Sequence, residues 1–227
     1  MKIKYPFEIE ILTKYMDFSR VKKFVIGFDL LKKNSETIEK MVEKMENLEE
    51  IISNTRNEMS YNESLYEKII FKCKKIRKIF LRDFLISPSL FQIMLEKNVF
   101  LSQIYVNMNN IFLLSVLANS SGAKRIEKIE LKDSIYYSQN VDKKKKLLKK
   151  FFINSGPILK RLVIDPSFLD EELLSLIASY NTQLKYLTFK SYSRRTTSLS
   201  YSFIQTFFKS FDIPLKIVGN IFFFFLN

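Results

Sequence analysis

Cys73 is the only thiol in a chain of 227 residues that contains no histidine, and these two facts bound the chemistry its side chains can do. Without His there is no Ser-His-Asp triad, no Cys-His pair and no His-containing metal site, and one thiol cannot build a thiolate zinc cluster. Gly27, Gly122, Gly156 and Gly219 stand apart from one another, so neither a G-x-G-x-x-G loop nor a P-loop is available to cradle phosphate. Recognition is the chemistry that remains. Lys and Arg number 37 against 24 Asp and Glu, a formal net charge of +13, and such a field attracts nucleic acid, anionic lipid or acidic protein without choosing among them. AT-rich coding is a neutral source of the same Lys, Ile, Asn and Phe.

The densest basic block is DKKKKLLKK, residues 142–150. It supplies Lys143, Lys144, Lys145, Lys146, Lys149 and Lys150, interrupted by Leu147 and Leu148 at helical spacing ahead of Phe151 and Phe152. Two readings stand: the lysines are the solvated face and leading loop of a helix, or they contact an anionic surface or a nuclear-import receptor.

What positions these residues is an internal repeat. VKKFVIG, LEEIISN, IRKIFLR, LSQIYVN, IEKIELK, LKRLVID and LKYLTFK begin at Val21, Leu48, Ile76, Leu101, Ile126, Leu159 and Leu184, and a degraded copy, LKIVGN, begins at Leu215. A spacing of about 25 to 33 residues is the signature of stacked supersecondary units. Each copy is apolar at positions one, four and six, and the last two carry the period of a strand. Ahead of the strands runs a helical period: Ile38, Met41, Val42, Met45, then Tyr66, Ile69, Ile70, Cys73, then Phe91, Met94, Leu95, Asn98, and later Leu174, Ile177, Ala178, Asn181. The stretch before Leu215 slips by one, as Ile204, Phe207, Phe208, Phe211, and those before Ile126 and Leu159 are looser. Ser60 with Glu63 reads as a capping box, and Asp170 with Glu171 and Glu172 marks another helix entrance. Cys73 continues an apolar stripe, so it reads as a small buried hydrophobe, with a redox or nucleophilic role as the alternative.

IFKCKKIRKIFL (70–81) resembles the cysteine-containing leucine-rich repeat, whose helix ends in a buried Cys just before an L-x-x-L-x-L strand. LVIDPSFLDEELLSLIASYNTQLKYLTF (162–189) is similar to the same unit in its order of strand, loop, acidic helix start, helix and strand. Only one copy keeps the Cys, and Ser53 replaces the apolar residue at position six of the second strand. The resemblance implies an α/β leucine-rich-repeat solenoid, a horseshoe of about seven to eight strand–helix units with a parallel concave sheet and convex helices. It extends over residues 20–220, with an N-terminal helical cap or degenerate F-box remnant over 1–19 and an apolar tail over 221–227.

Positions three, five and seven of each strand are expected to face away from the core, because strand side chains alternate. Position five reads Val25, Ile52, Phe80, Tyr105, Glu130, Val163, Thr188; position three reads Lys23, Glu50, Lys78, Gln103, Lys128, Arg161, Tyr186; position seven reads Gly27, Asn54, Arg82, Asn107, Lys132, Asp165, Lys190. An apolar row edged by bases is how a partner groove looks, with Ile52, Phe80, Tyr105 and Val163 as anchors and Lys78, Arg82, Lys128 and Arg161 as an orienting rim. The competing account is that strand propensity alone selects Val, Ile, Phe and Tyr there. Asp165 and Glu130 are the acids expected on this face; they fall in different repeats among basic residues, and no catalysis, cofactor or metal is expected of the chain.

YPFEIEILTKYMDF (5–18) is similar to the opening of an F-box, with Pro6, Glu8, Ile9, Tyr15 and Met16 matching its pattern. The same stretch reads equally as the helix of a capping repeat, since the first repeat strand starts where an F-box would continue. The resemblance implies a non-catalytic substrate-recognition subunit of a cullin-type ubiquitin ligase, with a protein partner on the concave face and an F-box adaptor as a second partner. The alternative is a stand-alone repeat scaffold that binds a protein or, through its basic surface, nucleic acid. A single Cys and no secretory signal point to the cytoplasm or nucleus. The tail IFFFFL (221–226) is far shorter than the roughly 20 apolar residues of a membrane span, and reads as an end strand or cap, a misread chain end, or a lipid or partner contact.

Overall fold

The computed structural model describes residues 14–54, 63–81, 86–108, 110–132, 140–165, 168–189, 207, 209 and 216–217. The chain divides into two compact units, residues 1–105 and 106–227. In chain order the first contains β1 (Lys23–Gly27), α1 (Phe28–Glu43), β2 (Glu50–Asn54), α2 (Glu63–Lys72), β3 (Lys78–Leu81) and α3 (Pro88–Lys97), and the division falls inside β4 (Gln103–Asn107). The second contains α4 (Ile111–Asn119), β5 (Lys128–Lys132), α5 (Val141–Ser155), β6 (Arg161–Ile164), α6 (Glu171–Tyr180), β7 (Tyr186–Phe189) and β8 (Lys216–Ile217). The class is α/β. Parallel pairing requires a long crossover between strands, and the intervening helices supply it: β1 pairs with β2 and β2 with β3, all parallel, as do β5 with β6, β6 with β7 and β7 with β8.

The strand period selects the core as expected. Every described residue at positions one and four is buried: Val21, Leu48, Ile76, Leu101, Ile126, Leu159 and Leu184, then Phe24, Ile51, Ile79, Ile104, Ile129, Leu162 and Leu187. At position six Val106, Leu131, Ile164 and Phe189 are buried too. Among the described residues, register is set just before five of the strands, where the carbonyl of the position-two residue accepts two N–H groups from the next copy. Lys22 O accepts from Glu49 and Glu50 at 2.8 and 2.9 Å, Glu49 O from Arg77 and Lys78 at 2.8 and 3.1 Å, and Arg77 O from Ser102 and Gln103, both at 3.0 Å. In the second unit Glu127 O takes Lys160 and Arg161 at 2.8 and 3.0 Å, and Lys160 O takes Lys185 and Tyr186 at 2.9 and 3.1 Å.

The helical stripes are buried where the period places them, with Ala178 half-buried. Helix starts are capped by short polar side chains, which satisfy N–H groups that have no partner inside the helix. Asp170 accepts from Leu173 N at 2.8 Å. Ser87, ahead of Pro88, accepts from Leu90 N at 3.3 Å, and Asn110 accepts from Phe112 and Leu113 N at 3.1 and 3.2 Å. Ser60 of the expected capping box lies outside the described residues, as do residues 1–13 of the expected cap or F-box remnant, the tail 221–227 and Arg82.

The looser copies have a local cause. Between α4 and β5 the chain inserts a 3-10 turn at Ser121–Arg125, and between α5 and β6 another at Gly156–Ile158. These shift the helical stripe relative to the strand, so the buried faces are Leu113, Leu114, Leu117, Ala118 in α4 and Leu148, Phe151, Phe152, Ser155 in α5. Gly156 turns at φ 57°, the left-handed region that favours glycine.

The residue three places before a strand copy lies at the end of the preceding helix or turn. Phe18, Met45, Cys73, Asn98, Ala123 and Asn181 are buried there, while Gly156, ahead of Leu159, is half-buried. Phe18 opens a 3-10 turn, Phe18–Arg20, capped by Asp17, so the first repeat begins ahead of Val21. Asn98 Nδ2 donates to Met94 O at 3.0 Å. Asn181 Nδ2 reaches back one copy, to Gly156 O at 2.7 Å and to Phe152 O and Ser155 Oγ, both at 3.2 Å. An amide here adds a donor to helix-end acceptors, some of which already take one from Asn98 N or Ser155 Oγ.

Leu162→Ala and Ile129→Ala should each lose about 2–5 kcal/mol in urea denaturation, because each empties a fully enclosed site. Asn181→Ala should lose about 1–3 kcal/mol, the cost of taking a donor from buried acceptors. A wild-type midpoint for either strand variant would mean that position four is not core.

Candidate interaction surface

The strand face that carries positions three and five differs between the two units. In the first, registered pairing sets Lys23 beside Glu50 and Glu50 beside Lys78. Glu50 holds both lysines, at 3.2 and 3.8 Å. One row along, Val25, Ile52 and Phe80 are half-buried side by side. Lys78 Nζ stands 4.9 Å over the Phe80 ring, and Phe80 stacks on Tyr105 with centroids 5.9 Å apart. Lys78, expected as an orienting rim charge, is thus engaged by Glu50 and by an aromatic face. In the second unit Lys128 and Arg161 are exposed as expected, and Tyr186, next in register, is 46% exposed.

Two expected anchors are not on an open surface. Tyr105 is 3% and Val163 6% exposed. Alternation assigns both outward, but β4 buries Ile104, Tyr105 and Val106 in succession and β6 buries Leu162, Val163 and Ile164. Strands covered on both faces carry continuous apolar runs, and I-Y-V and L-V-I are such runs, whereas I-E-L in β5 alternates. Asp165, expected on the same face, is also buried: the chain turns there, Asp165 O accepts from Phe168 N at 3.3 Å, and Phe168 and Leu169 are buried. Glu130 is half-buried.

The lysine block is partly spent on holding helices together. Lys145 Nζ donates to Asp170 Oδ2 at 2.8 Å, Lys149 pairs with Glu172, and Lys150 donates to Asn119 Oδ1. These tie α5 to the helix after it and the helix before it. Lys144 is 2% exposed, against the expectation of a solvated face. It stands on the same helical stripe as Leu148, Phe151, Phe152 and Ser155, and its Nζ lies 5.6 Å over the Phe168 ring. Lys143 and Lys146 are exposed and form no ion pair among the described residues. The first unit uses the same device: Lys68 of α2 bridges Glu39 and Glu43 of α1 at 3.0 and 2.9 Å. No helix among the described residues is long and apolar enough to cross a membrane.

Cys73 is fully buried and unpaired, with Sγ 4.0 Å from Val42 O. Burial pushes its thiol up to about 12, so the nucleophilic thiolate is scarce at neutral pH. Asp170 moves the other way. Partial burial opposes its charge, but the Lys145 ammonium and the Leu173 N–H outweigh it and hold the carboxyl below its usual range.

Sequence reasoning left Tyr186 and the two asparagines off the list of functional residues. Tyr186 was legible as the one aromatic in the position-three row, and Asn98 and Asn181 as substitutes at the cysteine position.

Native Cys73 should resist a thiol reagent at pH 8 and react only on unfolding. Its folded pKa lies above the unfolded value near 9, so stability should hold below about pH 9 and decline as pH rises toward about 12; prompt labelling of the folded chain would refute this. Asp170→Ala removes a cap and an ion pair, and should lose about 0.5–2 kcal/mol in a thermal melt. Asp170→Asn keeps the cap and should recover most of that. The carboxylate's own contribution should be present above about pH 4 and fade as pH falls through its depressed value. No protein-family model and no curated protein matches the chain.

Proposed function

We propose that the chain is a non-catalytic interaction module of leucine-rich-repeat type, a horseshoe of stacked strand–helix units. In this reading its strand face takes a protein partner, and it serves as an F-box-like substrate receptor of a cullin-type ubiquitin ligase. The observation that carries the binding role is the row Val25, Ile52, Phe80 on hydrogen-bonded neighbouring strands, half-buried and backed by the buried Tyr105. A contiguous apolar row beside a charge ladder has the make-up of an interface core with a polar rim. The F-box part rests on residues 5–18, of which Tyr15 stands exposed at 75%. A stand-alone scaffold is the second reading, favoured by the exposed cations Lys128 and Arg161.

The test pairs purified chain with a purified F-box adaptor, in wild-type form and with Tyr15→Ala and Met16→Ala. Binding lost in the double variant supports the receptor reading. Absence of any adaptor binding removes it and leaves the scaffold. Phe80→Ala should weaken capture of the protein partner by about 2 kcal/mol while the melting temperature stays near wild type. Equal capture by Phe80→Ala would move the partner off this row.

A further inference from the structure

One strand position is used in two ways. In the first unit it carries Lys23, Glu50 and Lys78, and the central carboxylate holds the two ammonium groups. In the second unit it carries Lys128, Arg161 and Tyr186, aligned by the register Lys128 to Arg161 to Tyr186, with Lys216 next on β8. Lys128 and Arg161 are exposed and pair with no carboxylate among the described residues. Glu127, beside them in the chain, is engaged by Lys160 at 3.2 Å. Glu130, two residues beyond Lys128 and on the same face, is half-buried and one row away. Strand propensity accounts for Tyr186 but not for Lys128, since Lys is depleted in strands, and like charges on adjacent strands repel.

We propose that the row Lys128, Arg161, Tyr186 binds single-stranded nucleic acid. Adjacent strands lie about 4.8 Å apart, so the two long cationic side chains can reach successive phosphates of one strand while the Tyr186 ring, 46% exposed, offers a face for a base. Backbone-tracking cations combined with an aromatic platform are what sequence-tolerant single-strand binding requires. An acidic peptide would meet the cations but give the ring no stacking partner of its own. The site deepens the scaffold reading of a non-catalytic binding module and is separate from the Phe80 row.

The probe is a fluorescein-labelled uridine oligonucleotide, titrated with the full-length chain and followed by anisotropy over a series of KCl concentrations. Affinity should fall steeply with salt. Lys128→Glu with Arg161→Glu should weaken binding at least tenfold and reduce the slope of log K against log salt by about 1.4, at roughly 0.7 per phosphate neutralised on a single strand. Tyr186→Ala should weaken binding about five- to a hundredfold with the slope unchanged, and Tyr186→Phe should restore it. Lys143→Glu with Lys146→Glu on α5, and Phe80→Ala in the first unit, should leave oligonucleotide binding intact, which separates this site from the helix block and from the protein-partner row. Circular dichroism melts of each variant confirm folding. The inference is overturned if the oligonucleotide fails to bind at low salt, if the double charge variant binds like wild type, or if polyglutamate competes as well as unlabelled oligonucleotide. Partner capture that survives such a result leaves the interaction-module reading standing.

Discussion

The pair of N–H groups converging on one carbonyl at the start of β2, β3, β4, β6 and β7 is the constraint on which the strand register depends. Because side chains alternate with period two, a slip of a single residue would send every core residue to the other face. Pinning Lys22, Glu49, Arg77, Glu127 and Lys160 as double acceptors fixes the register one residue before each of these strands begins. The residue three places before each copy then decides how the preceding helix ends. It is buried whether it is Met45, Cys73, Asn98 or Asn181, and the choice is between filling space and answering carbonyls. Cys73 fills; Asn181 answers three acceptors of the copy before it. Either residue type therefore suits the same buried place at the helix end.

The number of lysines says less about partners than it first suggests, because several of them are engaged by other side chains within the fold. Lys68, Lys145 and Lys149 join adjacent helices through carboxylates, and Lys75 Nζ reaches Asn47 Oδ1 at 2.6 Å while Asn47 Nδ2 reaches Ser19 O at 2.8 Å along the turns of the first unit. Exposed pairs of this kind are individually worth little, yet between repeats they add to nearest-neighbour coupling, the quantity that stabilises a one-dimensional stack. The lysines that remain without a carboxylate are the ones whose position is not explained by the fold.

Most of the architecture was legible because two periods moved together along the chain. The strand positions Phe24, Ile51, Ile79, Ile129 and Leu162 and the stripe ending at Cys73 follow from periodicity alone. The surface was less legible, for a physical reason: parity tells which way a side chain points and not whether anything covers it. Tyr105 and Val163 point away from the first core and are buried nonetheless, whereas Val25 and Phe80, in apolar runs just as unbroken, are half-buried. Lys144 misled in the same manner. Its charge suggests solvent, but counting back four residues from Leu148 sets it on the inner stripe, and a long aliphatic stem ending over an aromatic ring can occupy such a place. Loose helical periods before Ile126 and Leu159 came from inserted 3-10 turns, which leave no hydrophobic signature of their own.

Strand positions one, four and six cannot vary much without opening the core, and the register is held by the backbone, through the position-two carbonyl and the N–H groups it accepts. The side chain at position three has neither duty. It points outward, and it meets the equivalent residue of the next strand and, at Lys78, the Phe80 ring. Between the two units that freedom has been used differently: Glu50 stands between Lys23 and Lys78 and separates their charges, while Lys128 and Arg161 accumulate charge beside an exposed ring. Accumulated like charge on adjacent strands costs stability, and a stack can tolerate that cost locally because each unit's stability depends chiefly on its immediate neighbours. A cost of this kind, kept at the one position the fold leaves unconstrained, is where a ligand's compensating charge has the most to gain.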